Sequence, residues 1–286
     1  MIKEIFQNYG PIWELWWDGA NGEGPNGKKQ VYDWQRFEQT VRSISPQTVI
    51  FSDIGPDIRW VGNEHGVAGK TNWNLLDTAG FKRGLGAPPN DTLLHGNYKG
   101  AHYIPAEVDV SIRPGWFYHK AENSTVKSPE QLFTIYLESV GRGANLLLNV
   151  PPDNRGLIHL TDAAALVGLN KKVDELYSRN LLKGASLNIA EPDRNNLNKP
   201  FTWYYILKES VPMRGIILQE DLKYGQKISG LQITISHKGA VLFQEKTTTI
   251  GNKRIILFPQ SMEVSEIALV VTGSKGTPLL KKVTAF

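Results

Sequence analysis

Residues 1–183 alternate short apolar runs with segments whose apolar positions have helical spacing. The runs at Ile12–Trp17 and Thr48–Phe51 have the length of buried strands, and each is followed within two residues by an aspartate. Between them, Tyr32–Ile44 places its large apolar side chains on one helical face, so a helix is predicted there. Asp33 is suited to cap that helix.

The same alternation continues along this part of the chain. Strands are predicted at Val108–Ile112 and Asn145–Val150, and helices at Glu130–Gly141 and Thr161–Arg179, the second capped by Thr161. Strand, loop and helix repeated in this order indicate parallel βαβ units. Long loops after the strands favour a TIM barrel, with a doubly wound sheet as the alternative. Only four or five strands can be identified in the sequence, whereas a complete barrel needs eight.

Residues 184–286 change to an alternation of period two, with turn residues at short intervals. This pattern is typical of antiparallel structure, and about one hundred residues is a common size for a β-sandwich. We therefore predict two domains, a partial barrel over residues 1–183 and a sandwich over residues 184–286. Strands are expected at Arg214–Leu218, Leu231–Ser236, Val241–Gln244, Arg254–Phe258 and Glu266–Thr272.

Composition narrows the function classes. The 286 residues are 41% hydrophobic and 21% charged, which excludes wholesale disorder. Cysteine is absent, so disulfides, thiol nucleophiles and iron–sulfur clusters are excluded. The net charge is +4, but the basic residues are mostly single, so nucleic-acid binding is not expected. No apolar run approaches the ~18 to 20 residues of a membrane-spanning helix.

Tryptophan is concentrated in the first part, since seven of the eight lie at or before Trp116. Apolar ring faces stack on the C–H faces of pyranoses, so this distribution favours a sugar-binding surface. Asp18 follows Trp16 and Trp17 at the end of a predicted parallel strand, where barrel enzymes keep their catalytic residues. Asp53 ends the next strand, so its position makes it a candidate catalytic residue for the same reason. The structural alternative is that Asp18 caps a turn and that both tryptophans belong to the core.

The segment Arg59–Glu64 follows the strand at 48–53 and so lies on the same side of the sheet. Glycoside hydrolysis needs two carboxyl groups that flank the scissile bond, one ionised and one protonated. Asp18 and Glu64 come from adjacent strand ends and can meet across a pocket. Asp18 with Asp53 is a second pairing that would serve a retaining glycosidase. A solvated surface loop is the alternative interpretation of Glu64.

A third group of candidates lies around the strand at 108–112. Trp116, within Pro114–His119, can cover the apolar face of a deoxysugar, or it can be a core residue. Glu107 and Asp109 alternate on the strand, and one of them is expected to point into the barrel and hold a basic group. The histidines lack metal-ligand spacing on any one element, so a zinc site is not expected. No serine stands in a nucleophile elbow.

Five long motifs follow one another along the chain: Glu14–Gly19, Gly55–Glu64, Ala106–Tyr118, Leu146–Pro152 and Gln219–Leu222 with Gly225-Gln226. In composition and order they resemble the α-L-fucosidases of glycoside hydrolase family 29. The motif Gly55–Glu64 is similar to the acid/base loop of the branch that prefers α-1,3/1,4-linked fucosides. The resemblance covers nearly the whole chain.

The resemblance implies a fold and a chemistry. The fold is expected to be α/β, the C-terminal half of a TIM-like (β/α)8 barrel followed by an antiparallel β-sandwich. By resemblance, Asp18 is the nucleophile and Glu64 the general acid/base of a retaining exo-α-L-fucosidase. Trp16, Arg59 and Trp116 are expected to line the fucose site. Retaining enzymes hold their two carboxyl groups ~5 to 5.5 Å apart, and the same separation is expected here.

The chain departs from the family pattern at its beginning. Its nucleophile strand starts near residue 12, whereas family members place that strand about fourth in a complete barrel. An unclosed half-barrel exposes an edge strand. We therefore expect self-association, or a need for the N-terminal barrel half from elsewhere. The same departure keeps a second function open, a protein that binds fucosyl glycans without cleaving them, or an inactive fragment.

The expected partner is a fucosylated oligosaccharide or glycoconjugate, and neither nucleic acid nor a membrane is expected as a partner. The implied hydrolysis requires no cofactor, and no metal site is expected in the catalytic machinery. A structural calcium ion in or near the sandwich is compatible with the sequence, although no ligand motif requires one. Bacterial members of the family are often exported, so a periplasmic or secreted location is expected.

Overall fold

The computed structural model of the chain describes residues 1–18, 27–28, 30–83, 86–191 and 200–286. Helices and strands alternate through its first part. In chain order they are α1 (Ile2–Tyr9), β1 (Glu14–Trp16), α2 (Trp34–Ile44), β2 (Val49–Ser52), β3 (Ile58–Trp60), β4 (Leu75–Leu76), α3 (Asn90–His95), β5 (His102–Tyr103), β6 (Ala106–Ser111), α4 (Pro129–Glu138), β7 (Asn145–Asn149) and α5 (Leu160–Tyr177).

Five of these strands form one sheet in the order β1-β2-β3-β6-β7. Every pairing in it is parallel, and the strands stand side by side in chain order. The short strands β4 and β5 form a separate antiparallel pair. The sheet is therefore the half of a TIM-like barrel that the sequence predicts, and the low strand count of the sequence agrees with it.

Apolar side chains that alternate along the strands cover the outer face of this sheet. Val110 and Ile112 pack with Leu132 of α4 and Ala165 of α5 in one buried cluster. Val41 of α2 is fully buried in a second cluster, against β1 and β2. Full burial of one such side chain stabilises the fold by about 1.5 to 3 kcal/mol. The helices therefore hold the sheet from outside and leave its inner face for other groups.

The helix starts follow local capping chemistry. The Asp33 side chain accepts a hydrogen bond from the first turn of α2, as predicted. Ser128 opens α4 with a capping box. For α5 the predicted cap Thr161 is wrong, because His159 Nδ1 accepts the hydrogen bond from the Thr161 N–H at 3.2 Å. None of the helices in the described ranges is long and apolar enough to cross a lipid bilayer.

The inner face of the half-barrel carries polar and aromatic side chains. Along β1 and its C-terminal end they are Glu14, Trp16 and Asp18, and along β6 they are Glu107 and Asp109. Side chains two residues apart in a strand share one face, which explains both rows. Four acidic side chains, Glu14, Asp18, Glu107 and Asp109, are thus gathered inside the curve of the sheet.

The second part of the chain is antiparallel. Its strands are β8 (Ser186–Ala190), β9 (Thr202–Glu220), β10 (Ile228–His237), β11 (Ala240–Thr247), β12 (Arg254–Ser274) and β13 (Leu280–Ala285). They form one sheet in the order β11-β10-β12-β9-β13, with β8 paired to β9. The predicted strands Arg254–Phe258 and Glu266–Thr272 are the two ends of β12, a strand of 21 residues, so the predicted separation is wrong.

The long strands β9 and β12 explain how one sheet becomes a sandwich. They pair along their length, but the register shifts within residues 257–266. On one side of the shifts, β13 pairs with residues 216–220 of β9. On the other side, β8 pairs with residues 202–206 of β9, and β10 pairs with residues 266–274 of β12. Ile256 and Leu269 come from the two ends of β12 and belong to the same buried cluster. The sheet therefore folds over itself, and the predicted sandwich is confirmed.

Asn72 joins the half-barrel to the sandwich with all of its polar groups. Its backbone N–H donates to Thr249 Oγ1 at 2.8 Å, and its backbone C=O accepts from Gln226 Nε2 at 3.0 Å. Its side chain accepts from Arg59 Nη2 at 3.3 Å and donates to the Arg142 carbonyl at 3.1 Å. Asn72 is 2% exposed, so these bonds are shielded from water.

The predicted division between residues 183 and 184 lies in the turn that connects α5 to β8. The division into two domains stays a prediction. The two parts also share an apolar cluster. Leu176 of α5 packs there with Ile217 of β9 and with Phe286. Gln226 adds a second polar link, since its Oε1 accepts from the Asn74 N–H at 2.9 Å.

Candidate active site

A cavity of about 230 Å³ lies at the carboxyl ends of β1, β2, β3 and β6. Barrel enzymes bind their substrates at this end of the sheet. Four acidic and four aromatic side chains of the described residues line it: Trp16, Trp17, Asp18, Phe51, Asp53, Trp60, Glu64 and Asp109. The cavity therefore brings together the predicted residues Asp18, Glu64 and Trp16. Arg59 and Trp116 are not among its described lining residues.

Asp18 stands at the mouth of the cavity, two residues beyond β1. The Trp17 N–H donates to the Phe51 carbonyl at 3.1 Å, which extends the pairing of β1 and β2 to the residue before Asp18. The Asp18 side chain is exposed. Its position is thus fixed by the sheet rather than by a free loop. Gly19, the last residue of its motif, lies outside the described residues.

A braced loop after β3 carries Glu64. Gly62 has a φ of +87°, and a Cβ at this position would lie 2.8 Å from the Asn90 carbonyl oxygen, so only glycine fits. The Asn63 side chain accepts a hydrogen bond from the His65 N–H at 3.0 Å. The backbone around Gly62 and the side chain of Asn63 are therefore fixed by their neighbours. The Glu64 side chain itself is exposed at the cavity.

The two tryptophans beside Asp18 have different surroundings. Trp16 stacks on Phe51 with ring centroids 4.6 Å apart and planes 11° apart, and it stays 39% exposed. Trp17 is 8% exposed and stacks on Trp34 of α2, within the cluster outside the sheet. Trp16 is thus an open aromatic wall of the cavity, whereas Trp17 is mostly a core residue. Contact of Trp16 with fucose stays a prediction.

Asp109, at the centre of β6, is a third carboxyl group near the predicted pair. It is 3% exposed, and its Oδ1 accepts a hydrogen bond from Trp60 Nε1 at 2.8 Å. Burial raises the pKa of Asp109 to about 6, the Trp60 hydrogen bond opposes this rise, and the charges of Glu64 and Asp18 add to it. Both predicted catalytic carboxylates are therefore close enough to Asp109 to interact with it electrostatically.

Below Asp109, Glu14 and Glu107 form a carboxyl pair. Burial, followed by the charge of Glu14, raises the pKa of Glu107 to about 8, and burial also raises the pKa of Glu14. Asn145 Nδ2 donates to Glu107 Oε2 at 2.5 Å. The remaining oxygens, Glu14 Oε1 and Glu107 Oε1, are buried without another hydrogen-bond partner. One proton held between the two carboxyl groups satisfies both of these oxygens.

Trp116 lies in the loop after β6 and is 38% exposed. The loop is tied to the strand ends beneath it. Ser111 Oγ donates to the Gly115 carbonyl at 2.7 Å, and Asn149 Nδ2 bonds both Ser111 Oγ and the Trp116 carbonyl at 3.0 Å. The backbone of Trp116 is thus held while its ring is open to solvent. Its predicted contact with fucose stays a prediction.

A buried ion pair supports the same loop from behind. Arg113 Nε lies 2.9 Å from Asp162 Oδ2, and both side chains are fully buried. The guanidinium also lies 4.8 Å from the centre of the Tyr118 ring and donates to Asn123 Oδ1 at 3.1 Å. Breaking such a pair leaves an uncompensated buried charge, so Arg113 fixes the path of the loop that carries Trp116.

Arg59 does not have the surroundings expected of a sugar-binding residue. Its side chain is fully buried on the opposite face of β3 from Trp60. Its guanidinium donates to the carbonyl groups of Leu93, at 3.0 Å, and of Ile104. Burial lowers the pKa of Arg59 to about 9. The structure therefore corrects the expected fucose contact of Arg59 to a structural role between β3 and α3.

Metal ligation has no obvious place in the described part of the chain. No group of three or more His, Asp or Glu side chains there is arranged to hold a metal ion. Asp53 lines the cavity with one buried oxygen that has no hydrogen-bond partner. A structural calcium ion in or near the sandwich stays a prediction, and no residue set among the described residues supports it.

Comparison with known families agrees with this site. The family model described as "Alpha-L-fucosidase" matches residues 1–172, more than half of the chain. The chain belongs to the α-L-fucosidase family. Alpha-L-fucosidase 1 of Arabidopsis thaliana is 33% identical to it over 98% of the chain. The chain spans 59% of the length of that relative.

Solved structures show that this α-L-fucosidase family chain also shares the family fold. The crystal structure of SpGH29 is 30% identical and superposes with a TM-score of 0.86, covering 98% of this chain and 64% of the other. A glycoside hydrolase 29 family member from an unknown rumen bacterium is 31% identical with a TM-score of 0.85. It is covered over 52% of its length and covers all of this chain. The predicted family and fold class are confirmed.

The sequence indicated some members of the site and missed the role of others. The sequence indicates Asp18 and Glu64 because each follows a strand end. It shows Asp109 and Glu107 only as alternating acids, one of which is expected to hold a basic group. The structure shows instead that both point inward and that the partner of Glu107 is the acid Glu14. The period-two alternation along β1 and β6 is the signal that predicts which side chains of each strand share the inner face.

Proposed function

We propose that the protein is a retaining exo-α-L-fucosidase, with Asp18 as the nucleophile and Glu64 as the general acid/base. The observation that carries this proposal is the single cavity at the strand ends that both carboxylates line. Family membership supports the hydrolase class, and the aromatic walls of the cavity suit a sugar ring. The expected separation of ~5 to 5.5 Å between the two carboxyl groups belongs to the same proposal.

The proposed reaction has two steps. In the first, the Asp18 carboxylate attacks the anomeric carbon while the bond from that carbon to the glycosidic oxygen breaks, and Glu64 gives its proton to the leaving oxygen. In the second, Glu64 takes a proton from water, the water oxygen attacks the anomeric carbon, and the ester bond to Asp18 breaks. L-Fucose leaves with its original anomeric configuration, and both carboxyl groups regain their starting states.

The exo-acting part of the proposal comes from the resemblance. The cavity of about 230 Å³ at the strand ends is the place that we propose for the terminal fucosyl ring. Trp16 offers an open ring face at the cavity, and Phe51 behind it keeps that ring in place. By resemblance we assign the substrate as a terminal α-1,3/1,4-linked fucosyl residue of an oligosaccharide or glycoconjugate.

The test is release of L-fucose from an aryl α-L-fucoside and from a Lewis-type trisaccharide. Asp18→Asn is expected to abolish release, while Asp53→Asn, a neutralised carboxylate in the same cavity, should retain it. NMR of the first product formed should show the α-anomer. Loss of activity in Asp53→Asn with retention in Glu64→Gln would instead support the pairing of Asp18 with Asp53. Fucoside binding without any turnover would indicate the non-catalytic binding protein.

We further propose that either a second copy of the chain or an N-terminal barrel half covers the inner face of the half-barrel. β1 and β7 are the two edges of the parallel sheet, and parallel sheets are normally covered on both faces. Light scattering after size exclusion distinguishes these arrangements, and a monodisperse monomer with a sharp two-state melt would contradict both.

We also infer an exported location, periplasmic or secreted, from the resemblance to exported bacterial members of the family. Cell fractionation with an antibody against the chain tests it. Recovery of the protein with cytosolic markers would contradict it.

A further inference from the structure

A second groove lies between the half-barrel and the sandwich. Its volume is about 450 Å³, which is within the range of small-molecule sites. α4 with the turn after it, the end of β11 and the start of β12 contribute lining residues, and Lys70 joins them from the loop after β3. The groove shares no described lining residue with the cavity at the strand ends. The proposed hydrolysis therefore gives it no role.

Arg254, the first residue of β12, is a buried cation at this groove and is 6% exposed. Its Nε donates to the Thr249 carbonyl at 2.9 Å, and its Nη2 donates to the Lys70 carbonyl at 2.7 Å. Both acceptors are neutral, and no carboxylate in the described ranges forms an ion pair with the guanidinium. Buried charges are ordinarily paired. The described part of the chain thus leaves Arg254 without its usual counter-ion.

One end of the Arg254 guanidinium is open. No described residue accepts a hydrogen bond from Nη1, whereas Nε and Nη2 both have acceptors. Nη1 also keeps some accessible surface. Since Arg254 lines the groove, these N–H groups are the ones that a ligand in the groove can reach. A guanidinium presents its N–H groups in a rigid plane that matches the oxygens of an oxyanion.

The groove has a surplus of positive charge. Four basic and two acidic side chains of the described residues line it, which gives a formal charge of +2: Lys70, Arg142, Lys246, Arg254, Glu138 and Glu245. Glu138 is already paired, because its Oε1 accepts a hydrogen bond from Arg142 Nη2 at 2.7 Å. Glu245 is the other carboxylate of this set, so a single negative charge faces the three remaining cations.

The titration of the groove residues agrees with this surplus. Burial, followed by the charge of Arg142, lowers the pKa of Arg254 to about 10, and the charge of Glu245 opposes this shift only in part. Burial raises the pKa of Glu245, and the charges of Arg254 and Lys70 oppose that rise. A bound anion would act on Arg254 in the same sense as Glu245 does, because an opposite charge favours the ionised form.

Hydrogen bonds between the two parts of the chain already fix the backbone of the groove. The Lys70 carbonyl accepts from Arg254 Nη2 at 2.7 Å and from Thr248 Oγ1 at 2.8 Å. Arg142 Nη1 donates to the Ala68 carbonyl at 2.8 Å. Little ordering is therefore needed when a ligand binds, and this lowers the free-energy cost of binding.

We propose that this groove binds the sulfate or phosphate group of an anionic ligand, with Arg254 Nη1 as the buried donor and Lys70 and Lys246 as the outer cations. The inference goes beyond the proposed hydrolysis and does not depend on it. Guanidinium and ammonium groups recognise negative charge and acceptor oxygens, which sulfate and phosphate share. A neutral sugar has no such charge, so the groove is expected to discriminate against it.

Titration of the full chain, followed by backbone ¹H–¹⁵N NMR, tests the proposal. The probes are inorganic sulfate, inorganic phosphate, glucose 6-sulfate and glucose 6-phosphate, with glucose as the neutral control and sodium chloride used to hold the ionic strength constant. Saturable shifts of the amide signals of residues 245–254 are expected with the anions and not with glucose. Tighter binding of the sugar esters supports a ligand-borne group, and tighter binding of the inorganic ions supports a free ion. Shifts that do not saturate with any anion would overturn the inference.

Two exposed side chains provide variants that leave the buried hydrogen bonds of Arg254 intact. Lys70→Gln should raise the Kd for sulfate roughly two- to fivefold, and Glu245→Gln should lower it by a similar factor, because single exposed charges contribute modestly. Lys208→Gln and Glu209→Gln remove the same charges from exposed positions of β9 outside the groove and should leave the Kd unchanged. Equal Kd values in Lys70→Gln, Glu245→Gln and the parent would refute binding in this groove.

Discussion

Glu14 on β1 and Glu107 on β6 hold their carboxyl groups against each other, although two strands lie between them in the sheet. In a flat sheet, three strand spacings would place them about 14 Å apart. Their contact therefore requires the sheet to curl, and the curvature of a barrel is present within residues 14–109. The pair also puts a shared proton directly below the cavity.

That proton predicts a pH dependence of stability. The pKa of Glu107 is about 8 in the folded protein, against 4.5 for the free side chain. Between these values the folded protein holds a proton that the unfolded chain releases, so stability is full below pH ~4.5 and is lost as the pH rises towards 8. We expect Glu107→Gln, which cannot release a proton, to flatten the fall in Tm across this range.

The size of the effect sets the design of the measurement. One unit of pKa difference corresponds to about 1.4 kcal/mol, or roughly 3 to 5 °C in Tm for a chain of this length. Thermal melts from about pH 5 to pH 8 can resolve this. Glu209→Gln removes an exposed carboxyl group from β9 and is the matched control. Parallel Tm curves for Glu107→Gln and the parent would contradict the shared proton.

Removal of the open aromatic wall should weaken sugar binding. Trp16→Ala is expected to raise the Kd for L-fucose about tenfold, because a lost contact of about 1.4 kcal/mol corresponds to that factor. Calorimetric titration measures it. Trp13→Ala is the control, since Trp13 is 82% exposed and does not line the cavity. Equal affinity in the parent and Trp16→Ala would show that the sugar does not stack there.

The buried position of Arg59 predicts a stability effect rather than a binding effect. Arg59→Lys keeps the charge but cannot reach Leu93 O, Ile104 O and Asn72 Oδ1 together. A loss of about 1 to 3 kcal/mol is expected in urea denaturation. Arg36→Lys, at an exposed position of α2, serves as the control. If Arg59→Lys has unchanged stability and binds fucose more weakly, Arg59 contacts the substrate after all.

The buried hydrogen bonds of Gln226 are expected to contribute to the stability of the contact between the sandwich and the half-barrel. Its amide bonds the Asn72 carbonyl and the Asn74 N–H, and its side chain is 1% exposed. Gln226→Ala leaves two buried backbone groups without partners, so a loss of about 2 to 4 kcal/mol is expected. Gln260→Ala changes an exposed glutamine of β12 and should have little effect. Limited proteolysis should also find new cleavage near residues 72–74 in Gln226→Ala alone.

The sequence predicts an element where its own apolar spacing and capping residue are sufficient to define it. α2 was predictable from its apolar stripe and from Asp33, and β2 from its continuous apolar run. β3 has no recognisable strand pattern because it has only three residues and follows Pro56-Asp57. The pattern predicts two strands in place of β12 because Pro259 and the polar residues after it resemble a turn. The ladder continues through them by shifting its register, which depends on β9.

The site shows the same division between local and distant causes. Asp18 and Glu64 follow strand ends, so sequence order alone places them at one edge of the sheet. The fucose contact expected of Arg59 comes from the resemblance, whereas alternation within β3 makes Arg59 and Trp60 face opposite ways. The pairing of Glu107 with Glu14 depends on the curl of the sheet over four strands, which no local pattern encodes.

Asn72 ties β3 and the turn after α4 to two residues of the sandwich through one buried side chain and its own backbone. Neither half can therefore lose its structure without leaving polar groups of the other half unpaired. Heat should consequently melt the two halves in a single calorimetric transition. A fragment cut between them should not retain the cavity, so the sandwich acts as an obligatory folding partner for the catalytic strands.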